Sequence, residues 1–356
     1  MSAARSSRPG SGLPRPLSLA LVGAGRIAQS YVEVLARSRC AAVVAVADTD
    51  EAAAARLANR FGEARSFGSH GALLSSVEPD GVIIATPPVT HGPIALEFLR
   101  RGIPVLCEKP LAVDVPMALA MVAAAEESGV LLTMAAKYRF AADVTRARHI
   151  IDSGILGELI LFENAFTSRV DMASRWNADP AISGGGVLID NGTHSVDVAQ
   201  YLIGPVADVM AVEGRRVQQL AVEDTVRIFL RSVAGVIGNV DLSWSVDKGL
   251  DHFLAIFGTE GEVQVGWRRS RFRQVASSNW VEFGHGYDKV EAMGGAVDNF
   301  CRAVRGEEPL LITPYEALAS VAVVEQAYAS LRADHWMPVS DPVSAIATRS
   351  RRTGAA

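Results

Sequence analysis

The stretch LSLALVGAGRIAQS, residues 17–30, constrains this chain more than any other. A short apolar run breaks at two glycines and continues into helical spacing, which reads as a strand, a tight turn and a helix start. Such a turn aims helix N–H groups and a positive dipole end at one point, where an anion can sit. Gly23 permits the turn and Gly25 lets a pyrophosphate approach; Arg26 and Ile27 open the helix, and Ala28 fills the third small position. A GxGxxA turn alone is common, but here a second apolar run, VVAVADTD, follows and places Asp48 at its end. A carboxylate there hydrogen-bonds adenosine ribose hydroxyls and repels a 2′-phosphate, so NAD is favoured and NADP remains possible. The alternative is that Asp48 merely caps the next helix.

The rhythm around this stretch predicts an α/β fold. Apolar runs at residues 17–25, 43–50, 81–88, 103–110 and 131–137 end in Gly, Pro, Asp or Lys, and alanine-rich segments of helical spacing separate them. That alternation implies an N-terminal doubly wound parallel sheet. Beyond about residue 155 longer, partly alternating runs follow one another through turn signals. They imply a C-terminal α+β domain with a large, mostly antiparallel, meander-like open sheet. Helices are expected through 141–153, after Gly192 to Gly204, and over 288–306 and 314–333, the last three crossing the second sheet.

Length and charge narrow the classes. A chain of 356 residues exceeds what one core usually serves, which favours two domains. We expect a disordered extension over 1–16, a dinucleotide domain over 17–140, a substrate and oligomerisation domain over 141–342, and a flexible tail over 343–356. The extension carries arginines without acids but no apolar core of a signal peptide. A net charge of −5 gives no reason to expect nucleic acid or a membrane as partner. Three widely spaced cysteines, with no CxxC pair, argue against a metal site or disulfide framework and suit the cytoplasm.

Strand ends of an open α/β sheet carry its ligands, which singles out two groups, and a helix start adds a third. ATPPVTH places Thr86, Pro87 and His91 beside the cofactor, although His91 is equally suited to starting a helix with no ligand. CEKP places Glu108 and Lys109 at the same edge, where an ammonium can polarise a substrate oxygen. GGGVLIDNGTHSVD, residues 184–197, sets Asp190 and His194 one helical turn apart behind a glycine hinge. Histidine is the natural general base near neutral pH, and an acid one turn away can orient its ring. The bland alternative makes Asp190 an N-cap and His194 a packed residue.

Taken together, LALVGAGRIA, ATPPVTH, VLCEKPLA, KYRF, IDSGILGEL and RWNADPAISGGGVLIDNGTHSVD resemble the Gfo/Idh/MocA oxidoreductases, the family of inositol and sugar dehydrogenases. The resemblance spans most of the chain. It implies that Lys109, Asp190 and His194 form the catalytic set and also touch substrate, that Glu108, Thr86 and Pro87 lie near the nicotinamide, and that Lys137, Arg175 and Trp176 line the substrate site. Two departures, Ala141–Ala142 where many relatives place a proline and Thr193 before His194, fall near that pocket.

The activity so implied is hydride transfer between a nicotinamide cofactor and a secondary alcohol or ketone of a sugar or cyclitol, inositol dehydrogenase-like. Lys109 and His194 would handle the oxygen and its proton, and Asp190 would orient substrate and base. The glycines would let the backbone pass close to the cofactor. A reductase of nucleotide-linked keto sugars and a non-enzymatic cofactor-bound sensor are the rival readings. The open sheet implies a homodimer or homotetramer.

Overall fold

Alternating strands and helices at the N-terminus close into a doubly wound layer, as their periodicity requires. The computed structural model describes residues 15–277 and 279–340. Its first sheet contains β1 (Leu17–Val22), β2 (Ala41–Ala47), β3 (Arg65–Phe67), β4 (Gly81–Ile84), β5 (Val105–Glu108) and β6 (Leu132–Ala135), in the order β3-β2-β1-β4-β5-β6. All pairs are parallel. Strands β4, β5 and β6 are buried along their whole length because helices cover both faces. Those helices are α1 (Arg26–Arg37), α2 (Glu51–Ala58), α3 (His70–Leu74), α4 (His91–Arg100) and α5 (Val115–Ser128). The strand order reverses between β1 and β4, and that switch point is where such sheets bind ligands. The short edge strand β3 was not among the expected runs, being only three residues long and mostly exposed.

Helix α6 (Ala142–Asp152) leads into the second sheet. Its strands are β7 (Leu159–Thr167), β8 (Val206–Glu213), β9 (Thr225–Ser232), β10 (Ile237–Ser243), β11 (His252–Gly258), β12 (Gly261–Gly266), β13 (Ser270–Gln274), β14 (Val281–Gly284) and β15 (Met337–Pro338). The order is β14-β13-β12-β11-β7-β10-β9-β8-β15. This is not a simple meander. β7 comes first in sequence but lies in the middle, antiparallel to β11 and parallel to β10. The chain leaves β7 through the helix pair α7 (Pro180–Ser183) and α8 (Val187–Ile203) instead of a hairpin, so its neighbours arrive later.

Three helices differ from expectation in ways that matter for the site. α8 starts at Val187, before Gly192 rather than after it. Gly192 does not break the helix; it lets the helix press onto the sheet, since a Cβ there would lie 3.1 Å from the Leu242 side chain. The late pair, α9 (Lys289–Val304) and α10 (Pro314–Ala333), does not simply cross the second sheet. α9 buries Met293, Val297 and Phe300 in the core of β1 and α1. α10, opened by a Thr313/Glu316 capping box, places Leu318 and Val321 in the first core and Val323, Val324 and Ala327 in the second. The C-terminal helices therefore bolt the two sheets together. The expected tail over 343–356, and the expected extension apart from Arg15 and Pro16, lie outside the described residues.

Candidate active site

A cavity of about 1120 Å³ runs from the carboxyl edge of the parallel sheet to the inner side of α8. Ordinary small-molecule pockets occupy roughly 300–1,000 Å³, so a dinucleotide and a second ligand both have room.

At one end the glycine turn behaves as its sequence suggests. Gly23 has φ +102°, and a Cβ on it would lie 2.5 Å from the carbonyl oxygen of Ala85. Only glycine tolerates both conditions. Gly25 faces open space and starts α1 with no side-chain cap, so the first N–H groups of the helix remain available to an anion. Arg26 and Ile27 line the cavity beside it. Asp48 reaches back across the turn: one carboxylate oxygen accepts the Ala24 N–H at 2.6 Å and the other accepts the Asp50 N–H at 2.8 Å. The carboxylate thus braces the turn and borders the cavity at once. These residues fit a dinucleotide.

Thr86, Pro87 and Glu108 line the middle of the cavity. Glu108 is buried and accepts from the Tyr31 hydroxyl at 2.8 Å and from the Lys109 N–H at 3.2 Å. His91 does not join them. It is fully buried behind the wall, its ring nitrogens 2.7 Å from the Pro110 carbonyl and 2.8 Å from the Thr86 carbonyl. The expectation that it borders the cofactor is corrected: it ties two ligand-bearing loops together from behind, and burial lowers its pKa.

At the far end Lys109, Lys137, Asp190 and His194 come together, and Arg175 and Trp176 line the same cavity. Lys109 comes from the end of β5 and Asp190 from the first turn of α8, and their side chains form an ion pair. The Lys109 ammonium also donates to the Asp190 backbone carbonyl at 2.9 Å. Asp190 therefore serves Lys109; no hydrogen bond joins it to His194, and the expectation that it orients the ring is corrected. His194 is held instead by aromatic edges, with Tyr138 at 5.0 Å and Phe166 at 6.5 Å between ring centroids. Its Nδ1 is buried without a partner among the described residues. Burial, then the charges of Lys137 and Lys109, hold its pKa well below the usual 6.5. The ring is neutral near pH 7.

The glycines before α8 have a different task from the one their sequence implied. A Cβ on Gly185 would strike the Tyr328 hydroxyl, and one on Gly186 would strike the Glu223 backbone carbonyl. Buried Glu223 Oε1 accepts the N–H groups of Gly186 at 3.0 Å and Leu188 at 3.1 Å, and the Tyr328 hydroxyl at 2.7 Å. A carboxylate at a helix N-terminus satisfies orphan donors and complements the dipole. Close packing against this cap requires glycine, and the cap fixes the helix that carries Asp190 and His194. Sequence reasoning missed Glu223 and Tyr328, which lie in distant segments with no local signature. It also missed Trp244, Trp267 and Lys289, which line the cavity from the second sheet and α9.

This fold and site define a nicotinamide-dependent oxidoreductase with a Rossmann domain. Residues 17–136 match the oxidoreductase family with an NAD-binding Rossmann fold, and residues 144–264 match the GFO/IDH/MocA C-terminal domain. The chain belongs to the Gfo/Idh/MocA family. It is 30% identical to inositol 2-dehydrogenase of Rubrobacter xylanophilus over 330 residues, 89% of this chain and 91% of that one. GenD2 from gentamicin A biosynthesis, solved with NAD, superposes with a TM-score of 0.81 at 28% identity, covering 94% of this chain and 100% of that one. The WlbA dehydrogenase of Bordetella pertussis, solved with NADH and UDP-GlcNAcA, gives 0.81 at 26% identity over 92% of this chain and 98% of that one. Among the described residues no helix is long and apolar enough to cross a membrane, and no cluster of His, Cys, Asp or Glu could hold a metal.

Proposed function

We propose that the protein oxidises a secondary hydroxyl of a sugar or cyclitol to the ketone, as an inositol dehydrogenase does, with ketone reduction as the reverse reaction. The observation that carries this is the convergence of Lys109, Asp190 and His194 at one end of a cavity whose other end is the Gly23–Asp48 cradle. NAD, when bound, supplies the hydride acceptor. The rest belongs to the chain. Neutral His194 takes the hydroxyl proton as general base. An ammonium has three N–H donors; Lys109 directs two at Asp190 and keeps the third for the substrate oxygen, whose developing negative charge it stabilises. The Asp48 carboxylate at the cavity edge supports NAD over NADP.

The test is NADH formation by purified protein against a panel of inositols, hexoses and pentoses, with NADP in parallel. Turnover lost in Lys109→Ala and His194→Ala supports the reading, and an inert panel with intact cofactor binding overturns it. The likeness to a dehydrogenase solved with UDP-GlcNAcA favours a second reading, reduction of a nucleotide-linked keto sugar, which the same assay run with NADPH and such a substrate separates. Free thiols at Cys40, Cys107 and Cys301 support a cytoplasmic setting. Exposed Leu161, Val212 and Ile237 on the strands of the second sheet support self-association through that sheet, which light scattering on the purified protein checks.

A further inference from the structure

The reacting end of the cavity is richer in cations than its catalysis needs. Lys109, Lys137 and Lys289 lie within electrostatic reach of one another on its lining, against the carboxylates of Glu108 and Asp190. Both carboxylates are engaged: Asp190 by Lys109, and Glu108 by the Tyr31 hydroxyl and the Lys109 N–H. Lys289 donates to the neutral hydroxyl of Ser30 at 2.8 Å. Lys137 donates to nothing among the described residues, and the ring of its neighbour Tyr138 lies 5.6 Å from its ammonium. Burial, followed by the charges of Lys109 and Lys289, lowers its pKa to about 8 although Glu108 and Asp190 pull the other way. The site therefore carries a net positive field around an ammonium whose three donors are unspent. Lys137 is partly exposed and lines the cavity, so the partner for its charge can come from a bound ligand. A sugar hydroxyl can accept one of those hydrogen bonds but cannot balance the charge; a carboxylate does both.

We propose that the substrate is an acidic sugar or cyclitol, a uronate or an aldonate, whose carboxylate pairs with Lys137 while the hydroxyl to be oxidised lies between Lys109 and His194. This rests on the dehydrogenase reading for its chemistry, but not for its binding. Specificity is assigned to a residue of the KYRF turn that touches substrate away from the reacting carbon.

The test compares matched pairs, D-glucose with D-glucuronate and D-galactose with D-galacturonate, in the wild-type protein, Lys137→Met and Lys137→Arg. Charge-assisted hydrogen bonds predict that kcat/KM favours the acid by roughly ten- to hundredfold. In Lys137→Met that ratio collapses, mainly through KM, and Lys137→Arg restores part of it. NADH binding by fluorescence confirms that each variant is folded. Equal use of acid and neutral sugar, or a ratio unchanged in Lys137→Met, overturns the proposal while leaving the dehydrogenase standing. If no sugar of either kind reacts, calorimetric titration of the NADH-bound protein with D-glucuronate decides. Saturable binding lost in Lys137→Met retains the anion site and sinks the dehydrogenase reading; absence of binding sinks both.

Discussion

The Lys109 ammonium donates to the backbone carbonyl of Asp190 at 2.9 Å and is ion-paired with the carboxylate of the same residue. One lysine from the end of the parallel sheet thus reads both the main chain and the side chain of a helix from the other half of the molecule. The catalytic geometry depends on how the two sheets are held together.

Removing that lysine should separate chemistry from cofactor binding. Lys109→Ala is expected to lower kcat by about 10²–10³-fold, the usual loss for a donor to a developing oxyanion. The dissociation constant for NADH, titrated by fluorescence, should stay within a few-fold of wild type, since the glycine turn and Asp48 lie at the other end of the cavity.

The pH profile should report the neutral imidazole. Burial and the charges of Lys137 and Lys109 lower the His194 pKa, so the acid limb of kcat/KM for oxidation should lie below that of an ordinary histidine. Lys137→Met removes a nearby positive charge, which stabilises the imidazolium and raises its pKa. The acid limb should then move to higher pH, and a limb that stays in place would show that Lys137 does not act on this ring.

Asp48→Asn removes the charge that repels a 2′-phosphate. Its oxygen can still accept from Ala24, while its amide nitrogen cannot accept the Asp50 N–H, so the turn loses one of its two braces. The ratio of kcat/KM for NAD over NADP is expected to fall about tenfold. Parallel steady-state assays with the two cofactors measure it.

Glu223 should behave as a positioning residue. Glu223→Gln keeps an oxygen acceptor for the Gly186 and Leu188 N–H groups and should remain near wild type in thermal unfolding. Glu223→Ala leaves those donors unsatisfied in a buried site and should cost about 2–4 kcal/mol. At temperatures where that variant is still folded, kcat should drop more than NADH affinity, because the helix that moves carries Asp190 and His194.

Much of this was legible in the residues themselves. The strand, glycine turn and helix at 17–30, the carboxylate at Asp48, and Lys109 at a strand end follow from local periodicity and from what glycine and carboxylate can do within a few residues of chain. What those signals could not carry was anything set by distant packing. His91 has the position of a cofactor contact, yet its ring turned to two backbone carbonyls and was buried. Asp190 and His194 have the spacing of an orienting pair, yet the nearest cation captured the acid, because an ion pair with Lys109 outcompetes a hydrogen bond to a neutral ring. The three glycines before α8 suggest a hinge near a cofactor, yet two of them, Gly185 and Gly186, give way to Tyr328 and to a Glu223 cap contributed by segments far along the chain. Residues close in the chain determined most of the first sheet's elements and the chemistry available at their ends; the short edge strand β3, the start of α8, the place of β7 and the partner of each charged group were decided only when the tertiary fold brought distant groups together.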